Sequence, residues 1–223
     1  MTLPRGTDLL DQGLDQLEWP GDRVALRAFL AEVEAWNERL GLVSVNGPDD
    51  LVVRHVLDSL APWKWLAELG LSPFGGTPAK SLADLGSGAG FPGIPLALTF
   101  PRAVTTLVER MERRAGFLET TLIALHRTDV TVQQRTFEEV KDRFDLVTFR
   151  AVFPLEPKLV KKLLRLLNPG GVVVAYKGRR EVIDAELAAL AGLFVAEREV
   201  SMRVEPVTVP FLEEERHLVT FSW

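Results

Sequence analysis

The chain has 223 residues, 47% hydrophobic and 26% charged, with a formal net charge of −5 and no cysteine. Such a length and apolar content suit one α/β domain with a small appendage, and the missing thiol excludes disulfides and any thiolate nucleophile or metal ligand. No window approaches the roughly 18 uncharged apolar residues of a membrane span.

The first twenty residues, "MTLPRGTDLLDQGLDQLEWP", are interrupted by acids and lack a basic-then-apolar leader, so a cytoplasmic location with no membrane partner is expected. "DLLDQGLDQLEW" and "DRVALRAFLAEVEAWNERLG" space their apolar residues helically, and Gly41 is a plausible stop. "PDDLVVRHVLDSLAPWKWLAELG" opens with Pro48 and two acids, a good helix start, and Pro62 should divide it. The Pro- and Gly-dense stretch 71–80 marks a boundary between an N-terminal helical cap, 1–72, and a second domain, 73–223, the two packed as one unit. Beyond it the period changes. Strands are expected in "SLADLG", "AVTTLVE", "DVTVQQ", "FDLVTFR" and "GGVVVAYKG". Helices are expected between and after them, in "PGIPLALTF", "MERRAGFLETTLIALH", "LEPKLVKKLLRLL" and "REVIDAELAALAG", with a helical turn at "TFEEVKD". "FVAEREVSM" and "RHLVTFSW" read as two closing strands without an intervening helix. The fold class is therefore α/β, Rossmann-like, a mostly parallel sheet with an antiparallel C-terminal edge.

In such sheets ligands sit at the carboxyl ends of the strands. "SLADLGSGAGFPGIPLAL", 81–98, places Gly86, Gly88 and Gly90 after the first strand, where backbone can approach a ligand. The pattern is neither a dinucleotide fingerprint nor a P-loop. Pro92 and Pro95 remove helix-start donors that would cradle phosphate. Asp84 precedes the corner, and Glu109 ends the second strand, where an acid can accept from a ribose diol. A ribose-bearing ligand with a positive charge and no phosphate is S-adenosylmethionine, which points to a methyltransferase.

These residues also carry a resemblance. "RHVLDSL" (54–60), "DLGSGAGFPGIPLAL" (84–98), "LVERMERRAGFL" (107–118), "FDLVTFRAV" (144–152) and "YKG" (176–178) together resemble the bacterial small-subunit (16S) ribosomal RNA guanine-N7 methyltransferases, also called glucose-inhibited division protein B, over about residues 25–180. The resemblance implies that Gly86, Gly88 and Phe91 line the cofactor pocket, that Glu109 meets the ribose, and that Thr136, Phe137 and Glu138 flank the adenine. It implies that Arg150 lies beside cofactor and substrate as the candidate catalytic residue. "GLVS" (41–44) and Phe149, where the family favours Asn-Leu-Thr and serine, are departures.

The residues narrow the acceptor. Pyrimidine C5 methylation generally needs a cysteine, and adenine amino methylation an Asn/Asp-Pro-Pro-aromatic run, where this chain has "FRAVFP". Guanine N7 is a lone-pair nucleophile that needs no general base. Residues 141–180 carry ten lysines and arginines against three acids. Arg110, Arg113 and Arg114 follow the second strand, Lys177, Arg179 and Arg180 follow the fifth, and Lys158, Lys161, Lys162 and Arg165 share a helix. Both strand-end clusters are candidate contacts to RNA phosphates, with 16S ribosomal RNA or the small ribosomal subunit as partner. His55 and Asp58 could pair across one helix face, while His126 and His217 read as surface or packing residues. Trp19, Trp36, Trp63 and Trp65 read as packing, no metal is expected, and a monomer is the default. The residues alone leave open a methyltransferase for a small molecule or a protein, a non-catalytic cofactor-binding regulator, and a nicotinamide dehydrogenase.

Overall fold

The computed structural model describes residues 5–73, 79–150, 154–195 and 198–223. Helices α1 (Arg5–Gln16) and α2 (Arg23–Leu40) come first. Asp22 caps α2 by accepting from the Val24 and Ala25 N–H groups, and Gly41, at φ +55°, closes it. Then follow α3 (Pro48–Leu51), a π-helical stretch (Val52–Leu57), α4 (Asp58–Leu60) and, beyond Pro62, α5 (Trp63–Glu68). The expected boundary loop falls partly on 74–78, outside the described residues.

The alternating units are β1 (Ser81–Leu85), α6 (Gly93–Thr99), β2 (Val104–Glu109), α7 (Glu112–Ala124), β3 (Thr131–Gln134), β4 (Phe144–Arg150), α8 (Pro157–Arg165), β5 (Leu167–Lys177) and α9 (Arg180–Ala188). Short strands β6 (Phe194–Val195) and β7 (Arg198–Glu199) pair with each other, and β8 (Ser201–Val207) and β9 (Arg216–Ser222) complete the main sheet. Its order is β3-β2-β1-β4-β5-β9-β8, parallel from β3 to β5 and antiparallel at β9 and β8.

One expectation needs correcting. The stretch 194–202 does not form one edge strand; the strand paired with β9 is Ser201–Val207. It holds Pro206, which argues against a central strand, but β8 is the outermost strand and tolerates the missing donor.

The pleat divides the core. Leu82 of β1 and Leu107 of β2 bury into one cluster with Phe29, Val33 and Leu57 of the N-terminal helices. Ala83 and Leu85 face the other, with Leu163 of α8 and Ile183 of α9. The tryptophans tie the helices down. Trp19 Nε1 donates to Thr99 Oγ1 at 2.8 Å and Trp63 Nε1 to the Leu17 carbonyl at 2.9 Å, while Trp36 and Trp65 pack half-buried on the same cluster.

Candidate functional site

After β1 the chain turns through Gly86, Gly88 and Gly90 at φ +70°, +56° and +90°, values that side chains resist. The glycines serve different ends. A Cβ at Gly88 would meet nothing nearer than 3.8 Å, so this backbone is open to a ligand, whereas one at Gly90 would stand 2.7 Å from Ile94 Cδ1. The start of α6 has no donor left for a phosphate. Gly93 N–H donates to Asp84 Oδ2 at 3.0 Å, Ile94 N–H donates to the Gly90 carbonyl at 2.8 Å, and Pro95 has none. Asp84, 1% exposed, lies beneath this corner and off the cavity wall, as does Gly90. Burial pushes the Asp84 carboxyl up to about 7, and its Oδ1 has no partner among the described residues.

A cavity of about 1090 Å³ opens at the carboxyl ends of the strands. Gly86, Gly88, Phe91 and Glu109 form its first wall, continued by Thr136, Phe137 and Glu138 after β3. Glu109 is 4% exposed, and its two oxygens accept from Gly88 N–H at 2.9 Å and Met111 N–H at 2.8 Å. A carboxylate has about four lone-pair sites, so roughly two remain. Thr136 caps a single 3₁₀ turn, Phe137–Glu139, and its N–H donates to Glu139 Oε2 at 2.9 Å. A backbone-held carboxylate with lone pairs to spare fits a ribose diol, and a helix start with no spare donor fits a ligand without phosphate.

The second wall comes from the N-terminal helices, β4 and β9. In the π-helical stretch Asp58 N–H bonds back to the Val53 carbonyl, one residue beyond the α-helical partner. That frees the Arg54 carbonyl, which accepts from Arg150 Nη1 at 3.2 Å. The same Nη1 donates to Asp58 Oδ2 at 3.1 Å, and Arg150 Nη2 meets His55 Nδ1 at 3.0 Å. Arg216 Nε donates to the other Asp58 oxygen at 3.1 Å. His55 and Asp58 therefore do not pair with each other, as the helix spacing suggested; Arg150, arriving from β4, lies between them. Its guanidinium sits 5.5 Å from the centre of the Phe91 ring. Burial, then the Arg150 charge, lowers His55 to about 4. Burial raises the Asp58 carboxyl above its ordinary range, opposed by both guanidiniums.

Arg110, Arg114 and Lys177 also line the cavity, while Arg113, Arg179 and Arg180 stand outside its lining. Among the described residues Arg110, Arg113 and Arg179 make no ion pair and are exposed. Lys177 pairs with Glu186 at 2.8 Å and Arg180 with Asp184 at 2.7 Å. Of the α8 cations, Lys162 reaches the site by pairing with Glu138 at 3.2 Å. His126 is exposed at φ +54°, and His217 Nδ1 bonds the Gly178 carbonyl at 2.7 Å. No metal-binding group of three or more His, Asp or Glu occurs among the described residues. Sequence reasoning missed Arg216, Arg54 and Tyr176; the one signal was the polar stripe Arg54, His55 and Asp58 within an otherwise apolar helix.

The strand order, the glycine corner and the acid ending β2 define a Rossmann-like S-adenosylmethionine-dependent methyltransferase. The Bacillus cereus O-methyltransferase solved in complex with SAH has this fold, with a TM-score of 0.61, 16% identity, and coverage of 96% of this chain and 97% of that one. The GidB family, described as rRNA small subunit methyltransferase G, matches residues 23–219, and the chain belongs to it. Among its relatives are the ribosomal RNA small subunit methyltransferases G of Treponema pallidum (strain Nichols) and Stenotrophomonas maltophilia (strain K279a). The first is 37% identical over 98% of this chain and 95% of its own length. The second is 37% identical over 99% and 93%.

Proposed function

We propose that the protein methylates N7 of a guanine in 16S ribosomal RNA, free or within the small ribosomal subunit. One observation carries the choice of acceptor: each acid and imidazole on the cavity wall is already committed. His55 meets Arg150 and is hydrogen-bonded at the Ser44 backbone, and Asp58 holds two arginines. Glu109 holds two backbone N–H groups, and Glu138 pairs with Lys162. Tyr176 donates its hydroxyl to the Ser59 carbonyl at 3.1 Å, and burial raises it well above its ordinary value. A site in which no acid or imidazole stands unpartnered, and whose spare Glu109 lone pairs go to the ribose in this reading, suits an acceptor with no proton to lose.

S-adenosylmethionine, when bound, supplies an electrophilic methyl on a sulfonium. The protein's part is placement, which can supply roughly 7–11 kcal/mol of barrier reduction. In this reading Gly86, Gly88 and Phe91 bound the cofactor side, Glu109 takes the ribose, and Thr136, Phe137 and Glu138 flank the adenine. Arg150 is kept rigid beneath the acceptor. The N-terminal helices act as a cap that supplies the facing wall. Exposed Arg110, Arg113 and Arg179 take RNA phosphates without reading sequence, and the guanine enters from a loop or flipped outward.

Mass spectrometry of small-subunit rRNA from cells with and without the gene tests the activity. One 7-methylguanine is expected to vanish with the gene; an unchanged modification profile defeats the reading. The patch has its own test. Arg113→Glu with Arg179→Glu should abolish rRNA methylation while calorimetry still shows S-adenosylhomocysteine binding, and an unchanged methylation rate removes the patch from the mechanism.

A further inference from the structure

On the second wall Arg216 keeps a terminal donor to spare, and the one carboxylate that holds it is shared with Arg150. Arg216 opens β9, lines the cavity, and is gripped twice: Nε donates to Asp58 Oδ1 at 3.1 Å and Nη1 to the Glu215 carbonyl at 2.9 Å. Its Nη2 has no partner among the described residues. Neighbouring cations are differently placed. Arg150 spends both terminal nitrogens on His55, Asp58 and backbone carbonyls. Arg54 is paired to Asp50 and Glu214, and Lys177 to Glu186. Exposure separates the two arginines that Asp58 holds: the Arg216 side chain is 22% exposed and that of Arg150 14%, so Arg216 lies nearer the mouth.

We infer that Arg216 holds a backbone phosphate of the acceptor nucleotide, a contact that rests on the RNA-methylation reading above. The acceptor base is the weaker candidate for this donor. Methylation at N7 leaves the guanine ring positively charged, and a guanidinium on its O6 edge would oppose that charge. On the flanking phosphate the guanidinium meets an anion instead. A planar fork fixed through two of its nitrogens presents the third without further ordering, which suits phosphate recognition. Asp58 thus positions two arginines for different tasks, one deep and one at the entrance.

The test uses the full-length protein and small subunits from cells lacking the gene, with the KM for subunits measured across a salt series. Arg216→Gln is expected to raise that KM about tenfold, as loss of one charge-assisted hydrogen bond would. It should also lower the magnitude of the salt slope by about 0.7 to 1, the signature of one lost phosphate contact. Binding of S-adenosylhomocysteine should stay unchanged. Arg216→Lys keeps a charge and should keep the slope while the KM rises. An unchanged KM and slope in the Gln variant overturn the contact. Should the Gln variant fail to fold, a slope lost in the Lys variant overturns it equally, because charge would then not be what matters. If the wild-type protein itself transfers no methyl to N7, the functional reading fails first and takes this contact with it; wild-type activity with an indifferent Arg216 defeats the contact alone.

Discussion

The two walls of the cavity are built by different means. The first is local and made by backbone: Gly86 and Gly88 follow one strand, an acid ends the next, and Glu109 ties them by accepting Gly88 and Met111 N–H groups. The second is distributed and made by charge. Residues 55, 58, 150 and 216 come from a π-helical stretch, a short helix and two strands, and they meet around one buried carboxylate. A wall of backbone survives most side-chain changes. A wall held by ion pairs depends on each partner, because a buried charge left alone is costly.

The largest effect should therefore come from the centre of the second wall. Asp58→Ala leaves Arg150 and Arg216 facing each other without their shared anion. Loss of one partner from a buried ion pair costs about 3–5 kcal/mol. Urea unfolding should show that loss, and methylation should disappear with it. A stability drop no larger than that of an exposed pair, below about 1 kcal/mol, would mean that the wall is not held by charge.

The next effect belongs beneath the first wall and depends on pH. The Asp84 carboxyl titrates near 3.8 when unfolded and is raised to about 7 in the fold. Between these values the native state binds more protons, so this group's contribution to stability falls as pH rises and is fully lost above about 7. Asp84→Asn has no such term. From pH 5 to pH 8 its stability should improve relative to wild type by about 2–3 kcal/mol. His55, lowered to about 4, acts oppositely between 4 and 6.5, but it is common to both proteins and cancels in the difference. A pH-independent difference would show that Asp84 is ionised in its buried position.

Gly90→Ala probes the corner itself. At φ +90° a Cβ is strained and approaches Ile94 Cδ1 to 2.7 Å. The expected cost is about 1–2 kcal/mol, with weaker S-adenosylhomocysteine binding by calorimetry as the corner shifts. Unaltered affinity would separate the corner from the cofactor.

The contrast between the walls also explains what the sequence could reveal. The βα alternation, the helix stop at Gly41 and the glycine corner rest on contacts within a few residues, and each left a readable pattern. The wide turn at Val52–Leu57 did not, because its cause is tertiary: the carbonyl it releases is taken by Arg150, 96 positions away. Arg216 lies 158 positions from Asp58, beyond any spacing rule, and within "RHLVTFSW" it looks like an ordinary strand start. The strand at Ser201–Val207 was hidden for a related reason, since only the strand order shows that β8 is an edge where Pro206 is tolerated. Asp84 was legible as an acid beside the corner, yet its direction, towards Gly93 N–H and away from the cavity, depends on how α6 packs.

The smallest effect is the most discriminating between the walls. Tyr176, at the end of β5, lines the cavity, and its hydroxyl donates to the Ser59 carbonyl at 3.1 Å, joining the sheet to α4. Tyr176→Phe keeps the ring and the packing but leaves that buried carbonyl without this donor, a loss of about 1 kcal/mol. If the cofactor side is backbone-made and independent, S-adenosylhomocysteine affinity should not change. The KM for ribosomal subunits should rise by a few fold, because the helices carrying Asp58 are then less firmly placed against Arg150 and Arg216. Equal losses in both measurements would mean that the walls are mechanically coupled through β5, and that the division between a local cofactor side and a distributed acceptor side is wrong.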